Sequence, residues 1–162
     1  MSVAFRRESD DEHKEPRFEL PIPPGPNLVT ARGFAFTQAK VEQLEAEVAS
    51  LEGEAAEAVR RDLRYWRTRL ATAQLAPPPP PGEVGFGSRV RFRLGGKIRT
   101  VDIVGDDEAE PAADRLSFSS PLARALIGAG AGDLVDFGGR LDAIELLATE
   151  AIAQADSSSA SG

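Results

Sequence analysis

Two stripes of apolar residues run through the first half of the chain and predict a helical hairpin. Apolar positions recur with a heptad period from Phe34, and a second heptad set begins after Gly53. The two stripes consist of Phe34, Thr37, Val41, Leu44, Val48 and Leu51, and of Ala56, Val59, Leu63, Trp66, Leu70 and Ala73. Because each stripe is narrow and can be buried by the other, we predict an antiparallel coiled-coil hairpin over residues 28–75. Thr30 is its predicted N-cap.

The pattern changes to a period of two in the second half of the chain. Apolar and basic residues alternate from Val90 to Leu94, and Gly95-Gly96 allows a tight turn into a return strand. The segments that follow are a polar loop, a short strand, a helix capped by Ser120 and a second hairpin, at residues 105–111, 116–118, 121–127 and 134–147. These elements predict an α+β domain over residues 83–148, a small antiparallel sheet wrapped on one short helix.

Three further segments show neither the heptad period nor the alternating period. Residues 1–27 mix acids and bases without periodicity and end in a proline-rich run, which predicts an extended or disordered arm. Residues 76–82 contain five consecutive prolines, which predict a semi-rigid polyproline linker; the alternative is a ligand for an aromatic-lined groove. Residues 149–162 are predicted to be a disordered tail.

Composition and charge narrow the classes of function. The formal net charge of −7 disfavours tight, non-specific binding to a nucleic-acid duplex, which needs many cations. The chain has no cysteine, so disulfides and thiolate zinc sites are excluded. The N-terminus does not resemble a secretory signal, and no apolar run approaches the roughly 20 residues that span a bilayer. We therefore expect a soluble cytoplasmic protein without a membrane partner.

Two charged groups in the predicted hairpin are candidate sites. Glu52, Glu54 and Glu57 lie at its tip, where converging carboxylates could ligate a divalent cation or simply keep the turn soluble. A candidate basic face on the second helix consists of Arg60, Arg61, Arg64 and Arg67. This face either pairs with the acidic first helix or contacts an acidic partner or nucleic acid.

The second domain offers no evident catalytic group. Its serines have no histidine in the domain to act as a base, and the acids of residues 106–110 do not follow the EF-hand pattern. Binding is therefore the expected role, with no cofactor and no metal site of the chain's own.

Three blocks of sequence resemble the Gre family of bacterial transcription elongation factors, and its GreB-like branch most. The densest block is IVGDDEAEPAADRLSFSSPLARALIGAGAGDLVDF, residues 103–137. NLVTARGF, residues 27–34, resembles the opening of the family, and RLATAQL, residues 69–75, resembles the end of its second helix.

The resemblance implies a coiled-coil hairpin and an FKBP-like C-terminal domain that docks on bacterial RNA polymerase at the secondary channel. The residues implied in docking are Ser120, Pro121, Leu122 and Ala123. The hairpin would enter the channel, where acidic tip residues hold a Mg²⁺ ion of the polymerase and stimulate cleavage of backtracked RNA. Contact with nascent RNA would then be indirect. The chain would be a monomeric accessory factor and not an enzyme.

The predicted tip departs from the family pattern. The family motif G-D-L-S-E-N-A-E-Y has no counterpart here, and each helix, of about 22 residues, reaches only roughly 33 Å. The short rod is similar to that of the nucleoside diphosphate kinase regulator type of relative, so an alternative function is a channel competitor without cleavage activity. A peptidyl-prolyl isomerase is a further alternative, suggested by fold analogy alone.

Overall fold

The structure is a computed structural model that describes residues 19–152 of the chain. Its first four elements are β1 (Leu28–Val29), α1 (Ala31–Ala49), α2 (Gly53–Thr72) and β2 (Gln74–Leu75). The remaining elements are β3 (Ser88–Leu94), β4 (Lys97–Val104), one turn of 3₁₀ helix (Pro111–Ala113), β5 (Arg115–Ser117), α3 (Pro121–Leu126), β6 (Leu134–Phe137) and β7 (Arg140–Ala151). The α+β fold class predicted from the sequence is confirmed.

The helices α1 and α2 bury the stripes that the heptads predict. Val41 and Leu44 of α1 and Leu63 of α2 form the buried centre of this small core, and Val48, Val59, Trp66 and Leu70 are partly buried against it. The helices contain 19 and 20 residues, or about 28–30 Å each at 1.5 Å per residue. The reversal between them ends at Gly53, whose φ of 67° lies in the left-handed region that glycine adopts most readily.

A five-stranded sheet forms the second core, in the order β5-β4-β3-β7-β6. The β3–β4, β3–β7 and β6–β7 pairs are antiparallel, as predicted, but β5 runs parallel to β4 at the edge. A parallel pair needs a connection that crosses over outside the sheet. Residues 105–114, with the 3₁₀ turn, provide it, so the sheet is mixed and not wholly antiparallel.

The helix α3 packs on the inner face of this sheet. Its Ala123 and Leu126 are fully buried together with Phe92, Ile103 and Ile144 of three different strands. Alternation along β3 places Val90 and Phe92 inside and Arg91 and Arg93 outside, as a sheet with one packed face requires.

The last strand continues beyond the predicted end of the domain. Residues 149–151 were expected to begin a disordered tail, but β7 pairs with β3 as far as Ser88 and Ala151. The N–H of Ile152 then donates to the carbonyl oxygen of Gly87 at 2.8 Å, and Ile152 is buried. The tail prediction is therefore wrong for these residues, because strand pairing and burial order them. Its remaining part, residues 153–162, lies outside the described residues.

The chain divides into two compact units whose bounds differ from the predicted domains. Among the described residues, one unit comprises residues 19–26 and 34–73, and the other comprises residues 27–33 and 74–152. Residues 28–33, assigned from sequence to the hairpin, join the second unit because β1 pairs in parallel with β2. Two further bonds close this pair, from Gln74 N–H to Asn27 O at 2.9 Å and from Ala76 N–H to Val29 O at 3.2 Å.

The structure also describes the end of the predicted arm and the whole of the predicted linker. Residues 76–82, expected to be a linker, belong to the second unit. Of the predicted arm, residues 1–18 lie outside the described residues, and Asn27 at its end is buried. Among the described helices, none is both long and apolar enough to cross a membrane.

Candidate docking surface

The short helix α3 begins where its sequence predicts. Ser120 is in an extended conformation, and its side-chain oxygen accepts a hydrogen bond from the N–H of Ala123 at 3.3 Å. Pro121 occupies the first helical position, where a missing N–H costs nothing. The helix ends before Gly128, whose φ is 96°. Local sequence thus fixes both ends of α3.

The loop that leads into α3 is braced by a carboxylate from another part of the chain. Asp106 accepts hydrogen bonds from the hydroxyl groups of Ser117 and Ser119, the second at 3.0 Å. The two serine oxygens lie 2.8 Å apart, and the N–H of Ser119 donates to Ser117 at 3.1 Å. These serines, which could suggest a nucleophile, are held by Asp106 and position the start of α3.

The four residues implied in docking divide between surface and core. Pro121 is exposed, and Ser120 and Leu122 are half-buried, so all three reach the surface. Ala123 is fully buried in the sheet core. A docking surface on α3 therefore contains Ser120, Pro121 and Leu122, while Ala123 supports it from below.

Two exposed apolar side chains, one following α3 and one on β6, were not singled out from the sequence. Ile127, just past the helix, is 40% exposed, and Leu134 of β6, the strand against which α3 packs, is 57% exposed. The alternation of β6 gives a signal for Leu134, because Val135 and Phe137 pack against the core and Leu134 must then face outward. Leu134 therefore faces away from the side of the sheet on which α3 packs, and Ile127 is the exposed apolar residue next to the helix. An exposed apolar residue in this position is the kind of feature that marks a protein contact.

Glu108 joins two sequence blocks that lie far apart in the chain. Its carboxylate accepts hydrogen bonds from the Thr30 hydroxyl at 2.6 Å and from Arg32 Nε at 2.8 Å, and its side chain is only 8% exposed. Thr30 also accepts the N–H of Gly33 at 2.9 Å, which confirms the predicted N-cap of α1. Glu108 of the polar loop therefore helps to fix the start of α1.

Two glycines allow these blocks to approach each other. A Cβ atom at Gly105 would lie 2.3 Å from the carbonyl oxygen of Leu28, and one at Gly33 would lie 2.7 Å from the Glu108 carboxylate. Distances this short exclude any side chain without movement of the neighbouring atoms. Close contact explains why glycine occurs in both blocks.

The acids at the hairpin tip do not form a metal site. Glu52, Glu54 and Glu57 are exposed, and Glu57 pairs with Arg60 at 3.1 Å. Across residues 19–152, no group of three or more acidic or histidine side chains could hold a metal ion. Hard cations need several converging oxygen ligands, so the structure offers no preformed Mg²⁺ site at this tip.

The basic face of α2 is largely engaged in ion pairs within the first unit. Besides the pair of Arg60 with Glu57, Arg67 pairs across the hairpin with Glu45 at 2.9 Å, and Arg64 pairs with Glu19 at 2.9 Å. The Arg67–Glu45 pair is the charge complementarity between helices that the sequence suggested. Such exposed pairs favour the antiparallel pairing only modestly.

A cavity of about 210 Å³ lies elsewhere in the second unit and bears on the isomerase alternative. It is lined mainly by Leu75, the first three prolines of residues 77–81, Phe86 and Ile152. Phe86 is the one aromatic ring in this lining. An aromatic-lined proline pocket is therefore not present at this cavity.

Comparison with known proteins identifies the sheet domain. Residues 79–145 match the family described as transcription elongation factor, GreA/GreB, C-terminal. The match covers the sheet domain, which resembles the C-terminal domain of GreA and GreB. The matched residues contain β3 to β6, α3 and about half of β7, so the candidate docking surface lies wholly inside the GreA/GreB region.

The chain is also similar in sequence to parts of individual GreA and GreB proteins. The chain is 42% identical over 69 residues to the transcription elongation factor GreA of Thermomicrobium roseum, covering 41% of this chain and 44% of that protein. It is 39% identical over 101 residues to the transcription elongation factor GreB of Neisseria meningitidis serogroup A, covering 58% of this chain and 61% of that protein. The chain thus spans about half the length of the relatives it matches.

A solved structure of a GreA/GreB factor from Nitrosomonas europaea is 21% identical in sequence to the chain. The alignment covers 78% of this chain and 98% of that one, with a TM-score of 0.37.

Proposed function

We propose that this chain is a transcription elongation factor of Gre type that binds bacterial RNA polymerase through its C-terminal domain. The observation that carries the proposal is the surface of α3 inside the GreA/GreB region, where Pro121 is exposed and Leu122 is half-buried beside it. A capped helix with a rigid first turn presents these side chains at little conformational cost.

In this proposal the sheet domain docks at the rim of the secondary channel, and the hairpin of α1 and α2 enters the channel. The protein acts in the cytoplasm, as a monomer, and contacts nascent RNA only within the elongation complex. It supplies a binding surface and a rod but no catalytic group of its own.

Docking is tested by a pull-down of core RNA polymerase. Wild type is expected to bind, and the double substitution Pro121→Ala, Leu122→Ser is expected to weaken binding by about 10-fold or more, as loss of an interface anchor does. Pro111→Ala is the matched control, since Pro111 is an exposed proline of the same domain outside α3. Circular dichroism must find both variants folded.

Two outcomes would contradict the proposal. Failure of the wild type to bind core polymerase removes it altogether. Equal binding by the α3 variant and the Pro111→Ala control moves the contact away from α3.

Between the two modes of action, the tip favours a channel occupant that does not stimulate RNA cleavage. Glu57 is engaged by Arg60, and the tip acids do not converge. Donation of a metal ligand in two-metal chemistry requires a carboxylate directed at the ion. We therefore place competition for the channel ahead of cleavage stimulation.

A cleavage assay on backtracked elongation complexes separates these modes. We expect the wild type to leave the cleavage rate of polymerase unchanged while it slows cleavage stimulated by an added Gre factor. The double variant Glu52→Ala, Glu54→Ala should compete equally well. Stimulation by the wild type that is lost in this variant would instead assign the tip acids a role in cleavage, without affecting the docking proposal.

A further inference from the structure

The five consecutive prolines of residues 77–81, called here the polyproline segment, have very little conformational freedom. Each proline ring fixes its own φ near about −65°, and a residue that precedes a proline is driven into an extended conformation. Residues 76–80 each precede a proline. The segment is therefore a polyproline II helix, which has about three residues per turn and no hydrogen bonds within it.

The burial of the segment repeats with the period of this helix. Ala76 and Pro79, three residues apart, are half-buried. The four remaining prolines are exposed: Pro77, Pro78, Pro80 and Pro81. Because the helix has about three residues per turn, one of its edges packs on the sheet domain and the other two edges face solvent.

The packed edge is held at its middle and at its start. A Cβ atom at Gly85 would lie 3.3 Å from the Cβ atom of Pro79, and one at Gly87 would lie 3.8 Å from its Cδ atom. The backbone at both glycines therefore passes close to the proline ring. At the start of the segment, the N–H of Ala76 donates to the carbonyl oxygen of Val29 at 3.2 Å.

A tight turn fixes the other end of the segment. The N–H of Glu83 donates to the carbonyl oxygen of Pro80 at 3.2 Å, and Gly82 has a φ of 77°. Proline in the second position and a glycine of positive φ in the third are the features of a type II turn. The segment is thus presented in one orientation, so a partner that binds it has little conformational entropy to remove.

The exposed edges also carry unpaired hydrogen-bond acceptors. Within residues 19–152, no hydrogen bond reaches the carbonyl oxygen of Pro77, Pro78 or Pro79. Proline rings next to free carbonyl groups are the surface that an aromatic-lined groove recognises. The aromatic faces pack on the rings, while the N–H of a tryptophan or the O–H of a tyrosine donates to a carbonyl oxygen.

Two carboxylates stand beside the segment. Glu83 and Glu150 line a groove of about 310 Å³ together with the last four prolines, and both acids are exposed. Neither acid forms an ion pair with another described residue. Free carboxylates at this place favour a partner that carries a basic residue beside its groove.

We propose that the polyproline segment is a preformed ligand for a protein domain that has an aromatic-lined groove with a basic residue beside it. The segment then joins the sheet domain to a second protein, besides connecting α2 to that domain. This contact lies outside α3, and the proposal does not depend on binding to polymerase.

The test titrates the full-length chain with a panel of purified EVH1, SH3 and WW domains, each chosen with a basic residue beside its aromatic-lined groove. Isothermal titration calorimetry measures the affinity, and we expect at least one of these domains to bind. Because prolines have no N–H, the contact is mapped by the amide signals of Ala76, Gly82 and Glu83, which should shift more than those of α3.

Substitution of one exposed edge separates the segment from other proline-rich sequence. Pro77→Ala with Pro80→Ala should lower the affinity by about 10-fold or more, as loss of an interface anchor does. Both positions still precede a proline, so the backbone stays extended. The matched control is Pro24→Ala with Pro26→Ala, two exposed prolines on either side of Gly25, whose φ of 85° interrupts a polyproline II helix. The control should leave the affinity unchanged.

A charge variant tests the carboxylates separately. Glu83→Gln with Glu150→Gln should weaken binding and make the remaining affinity less sensitive to salt, because the attraction to the basic residue is lost. Circular dichroism must find all variants folded.

Three results would overturn the proposal. One is the absence of binding by every domain of the panel. Another is an equal affinity of the Pro77, Pro80 variant and its control. The third is binding that shifts the amide signals of α3 and leaves those of Ala76, Gly82 and Glu83 in place.

Discussion

At the scale of single residues, two of the sequence blocks that carry the family resemblance contact each other in the fold. Glu108 and Gly105 belong to the VGDDEAE block, while Thr30, Arg32 and Gly33 belong to NLVTARGF. In the structure, Glu108 accepts hydrogen bonds from Thr30 and Arg32 and lies close to Gly33. Gly105 lies close to the carbonyl oxygen of Leu28, in the same NLVTARGF block. These residues therefore build the second unit, and the surface that could meet a partner lies elsewhere, on α3.

The first prediction concerns Glu108. Glu108→Gln should lower the free energy of unfolding by about 1.5–3 kcal/mol, the range for buried hydrogen bonds to a charged group. The measurement is urea-induced unfolding followed by circular dichroism. Glu110→Gln is the matched control, because Glu110 lies in the same loop but is 60% exposed in its pair with Arg115. A similar loss for both variants would mean that the burial of Glu108 does not increase its contribution to the free energy of unfolding.

At the scale of elements, the β3–β4 and β3–β7 pairs carry ion pairs of different burial. Arg89 makes two hydrogen bonds to Asp102 across the β3–β4 pair, at 2.8 and 3.0 Å, and Asp102 is buried. Arg93 pairs with Glu145 across β3 and β7, but both side chains are more than 40% exposed. The sheet registers place each arginine directly opposite its acid. The two pairs differ mainly in access to water.

The second prediction compares these two carboxylates. Asp102→Asn should cost about 1.5–3 kcal/mol of stability, because it weakens charged hydrogen bonds that water cannot replace. Glu145→Gln should cost no more than about 0.5 kcal/mol, as expected for a solvated pair. Thermal unfolding of both variants measures the difference. An effect of Glu145→Gln as large as that of Asp102→Asn would contradict the role given to burial.

At the scale of the whole molecule, the two compact units have cores of unequal size. Within the described residues, the buried apolar cluster of the hairpin consists of Val41, Leu44 and Leu63, while that of the sheet domain has nine buried members around Phe92 and Leu146. A smaller apolar core gives a lower free energy of local opening. We therefore expect the units to differ in local stability.

The third prediction is that the hairpin opens before the sheet domain. Native-state hydrogen exchange should give lower opening free energies for amides near Val41 and Leu63 than for those of β3. Leu63→Ala, which deletes a buried side chain, should lower the hairpin values by about 2–5 kcal/mol, or abolish its protection, and leave β3 unchanged. A uniform decrease in both units would indicate one cooperative structure.

The sequence was sufficient for everything that depends on local periodicity and local capping. Heptads located α1 and α2, alternation located β3, and Ser120-Pro121 located the start of α3. These features could be predicted because a helix or strand repeats its burial every few residues, and a cap needs only the three residues that follow it. The docking residues stay a prediction, carried by the family resemblance.

Only the tertiary structure decided the features that join distant segments. Glu108 and Thr30 lie 78 residues apart, and no period in the chain relates them. The parallel β4–β5 pair, the burial of Ala123 and the extension of β7 to Ala151 likewise depend on which segment packs alongside. The sequence by itself determined the elements and their order. Packing between them decided which charged residues became structural and which stayed on the surface, because burial and pairing are set by neighbours in space.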